Sequence, residues 1–333
     1  MKMRKTITVA LPCRNEVDNI EALVGALKEQ FQTNLCDYDY YLQFMDNCST
    51  DGTREVLRRL CEEDPHVRAI FNIANFPGSA FHGILQAEGD CCIFMASDFQ
   101  DPPEILPELV REWEKGAKVV CAIKTSSDER RGLWAIRTLY YQIIGHLASV
   151  PQIEHFTGFG LYDRDFIEIV RSLNDPTPTL RGVVAEYGYK VSHVNFHQPN
   201  RFGGHTKQHF LSNFDFAMKN ITTYVHGVVH FAVYGGILAL GVLGLISVLV
   251  AALYIVGYRG IDYGFAAIML TILIVASIQA SLIGFVGEYV MNANDRLRRK
   301  PYAIEEERLG FTRQATPDVA PQYHPSIRKK TEK

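Results

Sequence analysis

The feature that most constrains the fold is an apolar strand pattern that stops at an aspartate. Residues 91–97 read Cys-Cys-Ile-Phe-Met-Ala-Ser, and Asp98 follows them directly. Pro102 and Pro103 then favour the start of a helix. In an open α/β sheet this arrangement places the carboxylate in the crevice at the carboxyl end of the strand, where nucleotides bind. The alternative is an aspartate that only caps the following helix.

Strand and helix patterns alternate through the first part of the chain, and this alternation predicts a doubly wound, mostly parallel α/β sheet. The predicted strands are residues 6–11, 41–45, 67–71, 91–96 and 119–123, with a later one at 189–196. Helices with apolar residues at helical spacing are predicted between them. Their expected starts are Asn15, Ser49 or Thr50, about Gly78, and Pro103.

Composition narrows the class of protein. The formal net charge of the 333 residues is −3, so no nucleic-acid partner is expected. The seven cysteines form no CxxC pair and no zinc spacing, and their odd number argues against a complete set of disulfides. Reduced thiols in a cytosolic domain are the simplest interpretation. The basic N-terminus leads straight into the first strand, so we do not expect a signal peptide.

Two long uncharged segments lie in the second half of the chain. Residues 228–256 and 263–287 contain no charged side chain. Each exceeds the roughly 20 residues that a helix needs to cross a bilayer. We therefore predict two transmembrane helices within 228–288. Four basic residues follow the second segment and only Arg259 lies in the turn, so the positive-inside rule places both tails in the cytoplasm.

Three polar clusters follow three of the predicted strands, at residues 12–16, 46–53 and 97–101. Each cluster alone could simply cap a helix. Together, at the carboxyl ends of one sheet, they favour a nucleotide site. The predicted nucleotide-contacting residues are Pro12, Arg14, Asn15, Glu16, Asp46, Asn47, Ser97 and Asp98.

The third cluster also suits a metal ion. The sequence has no GxGxxG or GxxxxGK[ST] motif, which disfavours dehydrogenases and P-loop proteins. A metal-bridged diphosphate fits better, with Asp98 and either Gln100 or Asp101 holding the cation that neutralises a leaving nucleoside diphosphate. The hard oxygen ligands favour Mg²⁺ or Mn²⁺.

A fourth cluster, residues 200–207, is basic and lies just before the apolar half. Arg201 offers a planar fork for phosphate oxygens, and Lys207 offers a point charge. The alternative is a loop that only touches anionic lipid headgroups. Residues 208–227 mix aromatic and polar side chains, which favours an amphipathic helix in the membrane interface. An ordinary connecting helix remains the alternative there.

These segments together resemble the family 2 glycosyltransferases of the polyprenyl-phosphate type, which include dolichol-phosphate mannose synthases and bacterial undecaprenyl-phosphate sugar transferases. The matching segments are residues 11–16, 46–53, 97–104, 201–207, 287–289 and 300–302. The resemblance implies a GT-A-like domain, a divalent metal, a UDP- or GDP-sugar donor and a polyprenyl phosphate acceptor. It implies catalytic roles for Asp98, Arg201 and Lys207, and metal ligation by Asp98 and Gln100.

The resemblance and the charge pattern predict four parts. Residues 1–207 form the cytoplasmic transferase domain, 208–227 the interfacial segment, 228–288 the membrane hairpin, and 289–333 a basic and then disordered tail. The protein would be a multi-pass protein of the inner (plasma) membrane, with its catalytic domain and both termini in the cytoplasm. A homo-oligomer is compatible with this organisation. The implied reaction adds one sugar to the lipid phosphate, for modification of cell-envelope glycans.

Three departures from the family pattern keep other functions open. Ala96 stands where many relatives have the first aspartate of a DxD motif. Gly158 replaces an aspartate and Gly160 an arginine, and residues 74–77 replace a common RNFG. One alternative is a processive polysaccharide synthase, but that class usually has a QxxRW motif and more spans, and neither is present in this sequence. The other is a non-catalytic membrane protein that binds nucleotide sugars.

Overall fold

The computed structural model describes residues 4–127, 153, 155–173, 179–199, 262–297 and 301–311, with isolated helical positions between 241 and 255. The chain divides into two compact units. The first comprises residues 1–139, 152–207 and 299–333, and the second comprises 140–151 and 208–298.

The first unit is built on one eight-stranded sheet. Its strands are β1 (Thr6–Cys13), β2 (Asp39–Asp46), β3 (Val67–Asn72), β4 (Cys91–Phe94), β5 (Val119–Ser127), β6 (Phe156–Asp163), β7 (Val191–Gln198) and β8 (Glu305–Leu309). Their order is β7-β5-β6-β4-β1-β2-β3-β8. The strands from β4 to β3 in this order are parallel, as are β5 and β7. Strands β6 and β8 are antiparallel to their neighbours. The predicted α/β sheet is confirmed as a mixed sheet with a parallel centre.

Helices cover both faces of this sheet. They are α1 (Val17–Thr33), α2 (Thr53–Glu63), α3 (Ser79–Leu85), α4 (Leu106–Glu114), α5 (Arg164–Leu173) and α6 (Leu180–Tyr187). A 3-10 turn, Pro103–Ile105, precedes α4. Successive residues of a strand point to opposite faces. Val9 and Leu11 accordingly join the core formed with α1, α2 and α4, whereas Ala10 joins the core formed with α3, α5 and α6. The doubly wound arrangement is therefore confirmed.

Four elements of the first unit are not predicted by the sequence patterns, namely β6, α5, α6 and β8. Strand β6 is almost wholly buried but carries Gly158 and Gly160, so its apolar pattern is interrupted. Strand β8 reads Glu-Glu-Glu-Arg-Leu, and no apolar alternation marks it. A charged sequence suits β8 because it lies at the edge of the sheet, where it pairs only with β3. Strand β8 lies within residues 289–333, the part predicted to be basic and then disordered.

The predicted membrane hairpin, 228–288, lies only partly within the described residues. The first span, 228–256, is described only at isolated helical positions, and the second, 263–287, falls within the long helix α7 (Asp262–Leu297). No helix within the described residues meets the length and apolarity that a bilayer crossing requires. The interfacial segment 208–227 and the tail beyond residue 311 also lie outside the described residues.

All seven cysteines lie in the described part of the first unit and are free thiols, as the sequence predicts. Four of them, Cys13, Cys91, Cys92 and Cys121, are buried. Burial is the main cause that raises the pKa of each of these four thiols. They therefore pack as small apolar side chains.

Gly160 lies where the backbone of β5 leaves no room for a side chain. It pairs with Phe94 on β4 and Cys121 on β5, and a Cβ at this position would overlap the carbonyl oxygen of Val120. We expect Gly160→Ala to lower the free energy of unfolding by roughly 1–3 kcal/mol, as overpacking does. Denaturant unfolding of the purified chain would measure this change.

Gly25 provides the matched control. It lies exposed on α1, and a Cβ added there would meet nothing within 4 Å. Gly25→Ala should leave stability unchanged or raise it by about 0.5–1 kcal/mol, because alanine favours a helix. Equal stability of the two alanine variants would contradict the close contact at Gly160.

Candidate active site

The three polar clusters meet at the switch point of the sheet. Strand β1 lies between β2 and β4 and is parallel to both. Cys13 is opposite Asp46, and Ala10 is opposite Phe94, so the carboxyl ends of the three strands share one edge. In open α/β sheets ligands bind in the crevice at such a point. The predicted convergence of the clusters is confirmed.

The loops after β1 and β2 are joined directly. The Asn15 backbone N–H donates to Ser49 Oγ at 2.8 Å, and the Thr50 N–H donates to Asn15 Oδ1 at 2.8 Å. The Glu16 N–H donates to Thr53 Oγ1 at 3.0 Å. Any shift of one loop must therefore move the other.

Asp46 is buried at the end of β2 and forms an ion pair with Arg54. The Arg54 Nε–H donates to Asp46 Oδ2 at 2.7 Å, and the Ser49 N–H donates to the same carboxylate at 3.2 Å. Burial would lower the pKa of Arg54, but the bonds to Asp46 and Glu306 raise it above its usual value. Arg54 is a site residue that the sequence patterns do not predict, although its place in the first turn of α2 could have indicated a cation beside the loop.

The start of α2 differs from the prediction. Ser49 or Thr50 was expected to cap this helix, but Gly52 occupies the N-cap position with φ +98°. Asp51 instead accepts bonds from the Thr53 N–H at 3.1 Å and the Thr53 hydroxyl at 2.6 Å. Burial would raise the pKa of Asp51, but hydrogen bonds from Thr53 and Val17 lower it overall. Helix α2 thus begins later than predicted, and the carboxylate of Asp51 binds its first backbone N–H group.

Asn47, a predicted nucleotide contact, holds the loop between β3 and α3. Its Nδ2–H donates to Asn75 Oδ1 at 2.7 Å and to the Phe76 carbonyl at 3.0 Å. The Phe76 N–H donates to Asn47 Oδ1 at 2.8 Å. Both ends of the amide are engaged in these contacts, so Asn47 acts on the crevice by shaping that loop.

Each of the three clusters contains one residue other than glycine in the left-handed backbone region. Asn15 has φ +56°, Cys48 +62° and Phe99 +61°. Asparagine tolerates this conformation, but cysteine and phenylalanine do so at a cost of roughly 1–3 kcal/mol each. Backbone strain of this kind clusters at functional sites, where it fixes the shape of a loop.

The third cluster contains two buried carboxyl groups. Asp98 accepts a bond from the Gln100 N–H at 3.2 Å, and Asp101 accepts one from the Ala96 N–H at 2.8 Å. The Ser97 hydroxyl donates to the Pro12 carbonyl at 2.9 Å, which ties this cluster to β1.

The charge state of Asp101 reflects its surroundings. Burial raises the pKa of Asp101 to about 7, although the Ala96 N–H lowers it. The charge of Asp98 raises this pKa further, while the buried Lys124 lowers it. Asp101 is therefore a buried carboxyl group whose charge state responds both to Asp98 and to Lys124.

The residues present fit a divalent cation. Within the described ranges, no three His, Cys, Asp or Glu side chains group closely enough to enclose a metal by themselves. Asp98 and Gln100, with Asp101 close by, supply hard oxygen atoms. Mg²⁺ typically takes only one or two protein carboxylates and completes its shell with substrate phosphates and water. The donor set therefore suits a cation that arrives with a diphosphate.

The remaining predicted residues have varied positions. Arg14 is exposed at the end of β1. Glu16 begins α1, and its carboxylate accepts a bond from Asn19 Nδ2 at 2.6 Å. Arg201 and Lys207 lie outside the described residues.

The missing family aspartate at Gly158 has a backbone cause. Gly158 has φ +108°, a conformation that L-residues with a side chain rarely adopt. Its carbonyl accepts a bond from the buried Tyr162 hydroxyl at 2.6 Å. An aspartate at this position in β6 would be strained by the observed backbone conformation.

The doubly wound sheet, with polar clusters converging at its switch point, is that of an α/β protein whose candidate ligand site lies at the carboxyl ends of its parallel strands. Residues 8–172 match the model of Glycosyl transferase family 2, and this part of the chain is a domain of that family.

Similar proteins match nearly the full length of the chain. An uncharacterized glycosyltransferase of Bacillus subtilis (strain 168) is 28% identical over 315 residues, which cover 91% of this chain and 96% of that protein. A prophage bactoprenol glucosyl transferase homolog of Escherichia coli (strain K12) is 25% identical over 301 residues, covering 90% and 97%. Among solved structures, glucosyl-3-phosphoglycerate synthase from Mycobacterium tuberculosis with Mn²⁺, UDP-glucose and phosphoglyceric acid is 20% identical, with a TM-score of 0.42 over 66% of this chain and 78% of that one.

Proposed function

We propose that this protein transfers a single sugar from a nucleotide-sugar donor to a polyprenyl phosphate. The product would be a lipid-phosphate-linked monosaccharide used to modify cell-envelope glycans. One observation carries the proposal: the match to the bactoprenol glucosyl transferase homolog covers 97% of that protein and continues well beyond the family 2 domain, which ends at residue 172. A polyprenyl acceptor is thus supported by likeness over 90% of the chain.

The donor would be a UDP- or GDP-sugar bound in the crevice at the switch point. The loops after β1 and β2 would hold the nucleoside, and Ser97 and Asp98 would face its diphosphate. Asp98 and Gln100 would hold Mg²⁺ or Mn²⁺, which neutralises charge on the departing diphosphate. The buried position of Asp98 and the rigid, hydrogen-bonded loops support this arrangement, because preorganised groups stabilise developing charge best.

The acceptor would need cations rather than a general base. A phosphate monoester has its second ionisation near about pH 6, so it is mostly a dianion at cytosolic pH and attacks without donating a proton. Arg201 and Lys207 would position this phosphate and offset its repulsion from the donor. The glycine at position 158, where relatives have an aspartate, is compatible with a reaction that requires no carboxylate there.

A membrane location would bring the domain to its lipid acceptor. We propose a multi-pass protein of the inner (plasma) membrane, with two spans within 228–288 and both termini in the cytoplasm. The two uncharged segments support this, as do apolar side chains exposed on α7, such as Phe265, Ile268, Ile272 and Ile283. The basic residues after the second segment support the orientation.

A transfer assay tests the proposal. The purified full-length chain, undecaprenyl phosphate and Mg²⁺ would be incubated with a panel of radiolabelled UDP- and GDP-sugars. We expect label from one donor to enter a butanol-extractable lipid, and mass spectrometry to show one sugar per lipid. A labelled polymer would indicate a processive synthase instead. Nucleotide binding without any transfer would indicate a non-catalytic binding protein.

A further inference from the structure

The edge strand β8 returns from the far end of the chain to the candidate donor site. It pairs antiparallel with β3, and the Ile73 N–H donates to the Ile304 carbonyl at 3.1 Å. The buried Glu305 carboxylate lies 2.5 Å from His82 Nε2 on α3. Burial would raise the pKa of Glu305, but its bonds with His82 and Arg308 hold it at about 2. These contacts anchor the strand to β3 and α3.

The next residue of β8, Glu306, contacts the guanidinium of Arg54, which also binds Asp46 at the crevice. Arg54 donates through Nη1 to Glu306 Oε2 at 2.9 Å, through Nε to Asp46 Oδ2 at 2.7 Å, and through Nη2 to the Asn72 carbonyl at 2.6 Å. All three contacts use one rigid, planar group. The position of Arg54 against Asp46 is therefore set partly by Glu306.

The charge on Asp46 requires such a partner. Its side chain is fully buried, whereas the side chain of Arg54 is 18% exposed. A buried carboxylate without a cation beside it is strongly destabilised. The same carboxylate accepts the Ser49 N–H, and Ser49 Oγ accepts the Asn15 N–H of the neighbouring loop. A displacement of Arg54 would thus displace Asp46, and with it the loops after β1 and β2.

We propose that Glu306 and Arg54 are positioning residues for donor binding, acting through Asp46 on the loops after β1 and β2. The inference rests on the proposed function, because it takes these loops to be the donor site. Glu306 would orient the guanidinium, Arg54 would hold the carboxylate, and Asp46 would fix the Ser49 backbone. A segment that follows the long helix in sequence therefore contributes to donor affinity without touching the donor.

The adjacent residue offers a closely matched control. Glu307 pairs with Arg58 at 2.9 Å, the same distance as Glu306 to Arg54. The side chains of Glu306 and Glu307 are 40% and 39% exposed. Arg58 lies one turn further along α2 and packs over the Phe71 ring, 4.8 Å from its centre. The two pairs thus match in charge and distance, and their glutamates match in exposure. They differ in the arginine, because Arg54 also binds Asp46.

The test compares Glu306→Lys with Glu307→Lys in the full-length chain. Both changes alter the net charge equally, so any general effect on an anionic donor is the same. We expect Glu306→Lys to raise the KM for the active donor, and the Kd for UDP or GDP with Mg²⁺, about five- to tenfold, with kcat within about twofold of wild type. Glu307→Lys should change each constant by less than about twofold.

Two further measurements separate positioning from a loss of structure. Both lysine variants should unfold at similar temperatures. In an Arg54→Gln background, Glu306→Lys should cause no additional loss of affinity, because coupled residues are not additive. Equal KM values for the two lysine variants would overturn the inference while leaving the proposed function intact. A wild-type chain that binds neither UDP nor GDP would overturn the proposed function, and this inference with it.

Discussion

Asp98→Asn is expected to stop sugar transfer while leaving the protein folded, with a loss of roughly 10²–10³-fold in kcat or more. The carboxylate charge is needed to hold the divalent cation and, through it, the diphosphate. The amide has the same shape and keeps an oxygen that can accept the Gln100 N–H. Unfolding temperature and transfer rate, measured on the same preparation, distinguish lost chemistry from lost structure.

Glu104→Gln is the control for this change. Glu104 is an exposed carboxylate in the 3-10 turn that follows the same cluster. Its substitution should leave turnover near the wild-type value. EDTA should inhibit the wild-type protein, and Mg²⁺ or Mn²⁺ should restore activity. Wild-type turnover in the Asp98→Asn variant would exclude Asp98 as a metal ligand.

Replacing Arg201 or Lys207 with alanine should lower activity by about ten- to a hundredfold. Charge-assisted contacts are worth about 1.5–3 kcal/mol, and each 1.4 kcal/mol is about a factor of ten. If these cations hold the acceptor phosphate, the loss should appear on every polyprenyl phosphate, whatever its chain length. Initial rates with long and short acceptors would measure it.

A short, soluble prenyl phosphate separates the two roles considered for this basic segment. If the residues only touch lipid headgroups, their loss should weaken binding to anionic liposomes but leave turnover on the short acceptor normal. Lys115→Ala serves as the control, because Lys115 is a highly exposed lysine at the end of α4. It should match wild type in both assays.

The parallel centre of the sheet is predictable because local patterns determine it. The apolar strands β1 to β4 and the helices between them carry the periodicity of their own structure. Strand β6 is not predicted because its apolar pattern is interrupted by two glycines. Gly158 is required by its positive φ, and Gly160 by the close approach of Val120 on β5. Strand β8 is not predicted because its charged residues pair with α2. Glu306, for example, bonds to Arg54 at a separation of 252 residues. No local pattern contains such a pairing.

The place of the site is predictable, but its internal contacts are not. The strand-end rule correctly brings Asp46 and Asp98 to one edge. The side-chain partners within that edge depend on loop conformation, such as the left-handed backbone of Cys48 between Asn47 and Ser49. Asn47 consequently binds the neighbouring loop, and Arg54 becomes the partner of Asp46. Neither contact follows from residue type and spacing.

The late position of β8 in the sequence has a consequence for biosynthesis. Strand β3 ends at Asn72, but its partner begins only at Glu305. At about 5–20 residues per second, the ribosome needs roughly 10–50 seconds to cover that interval. During this time the outer edge of β3 offers unpaired backbone groups to any passing strand. Synthesis of the segment after helix α7, rather than synthesis of the strands around β3, therefore sets the moment at which this edge is closed.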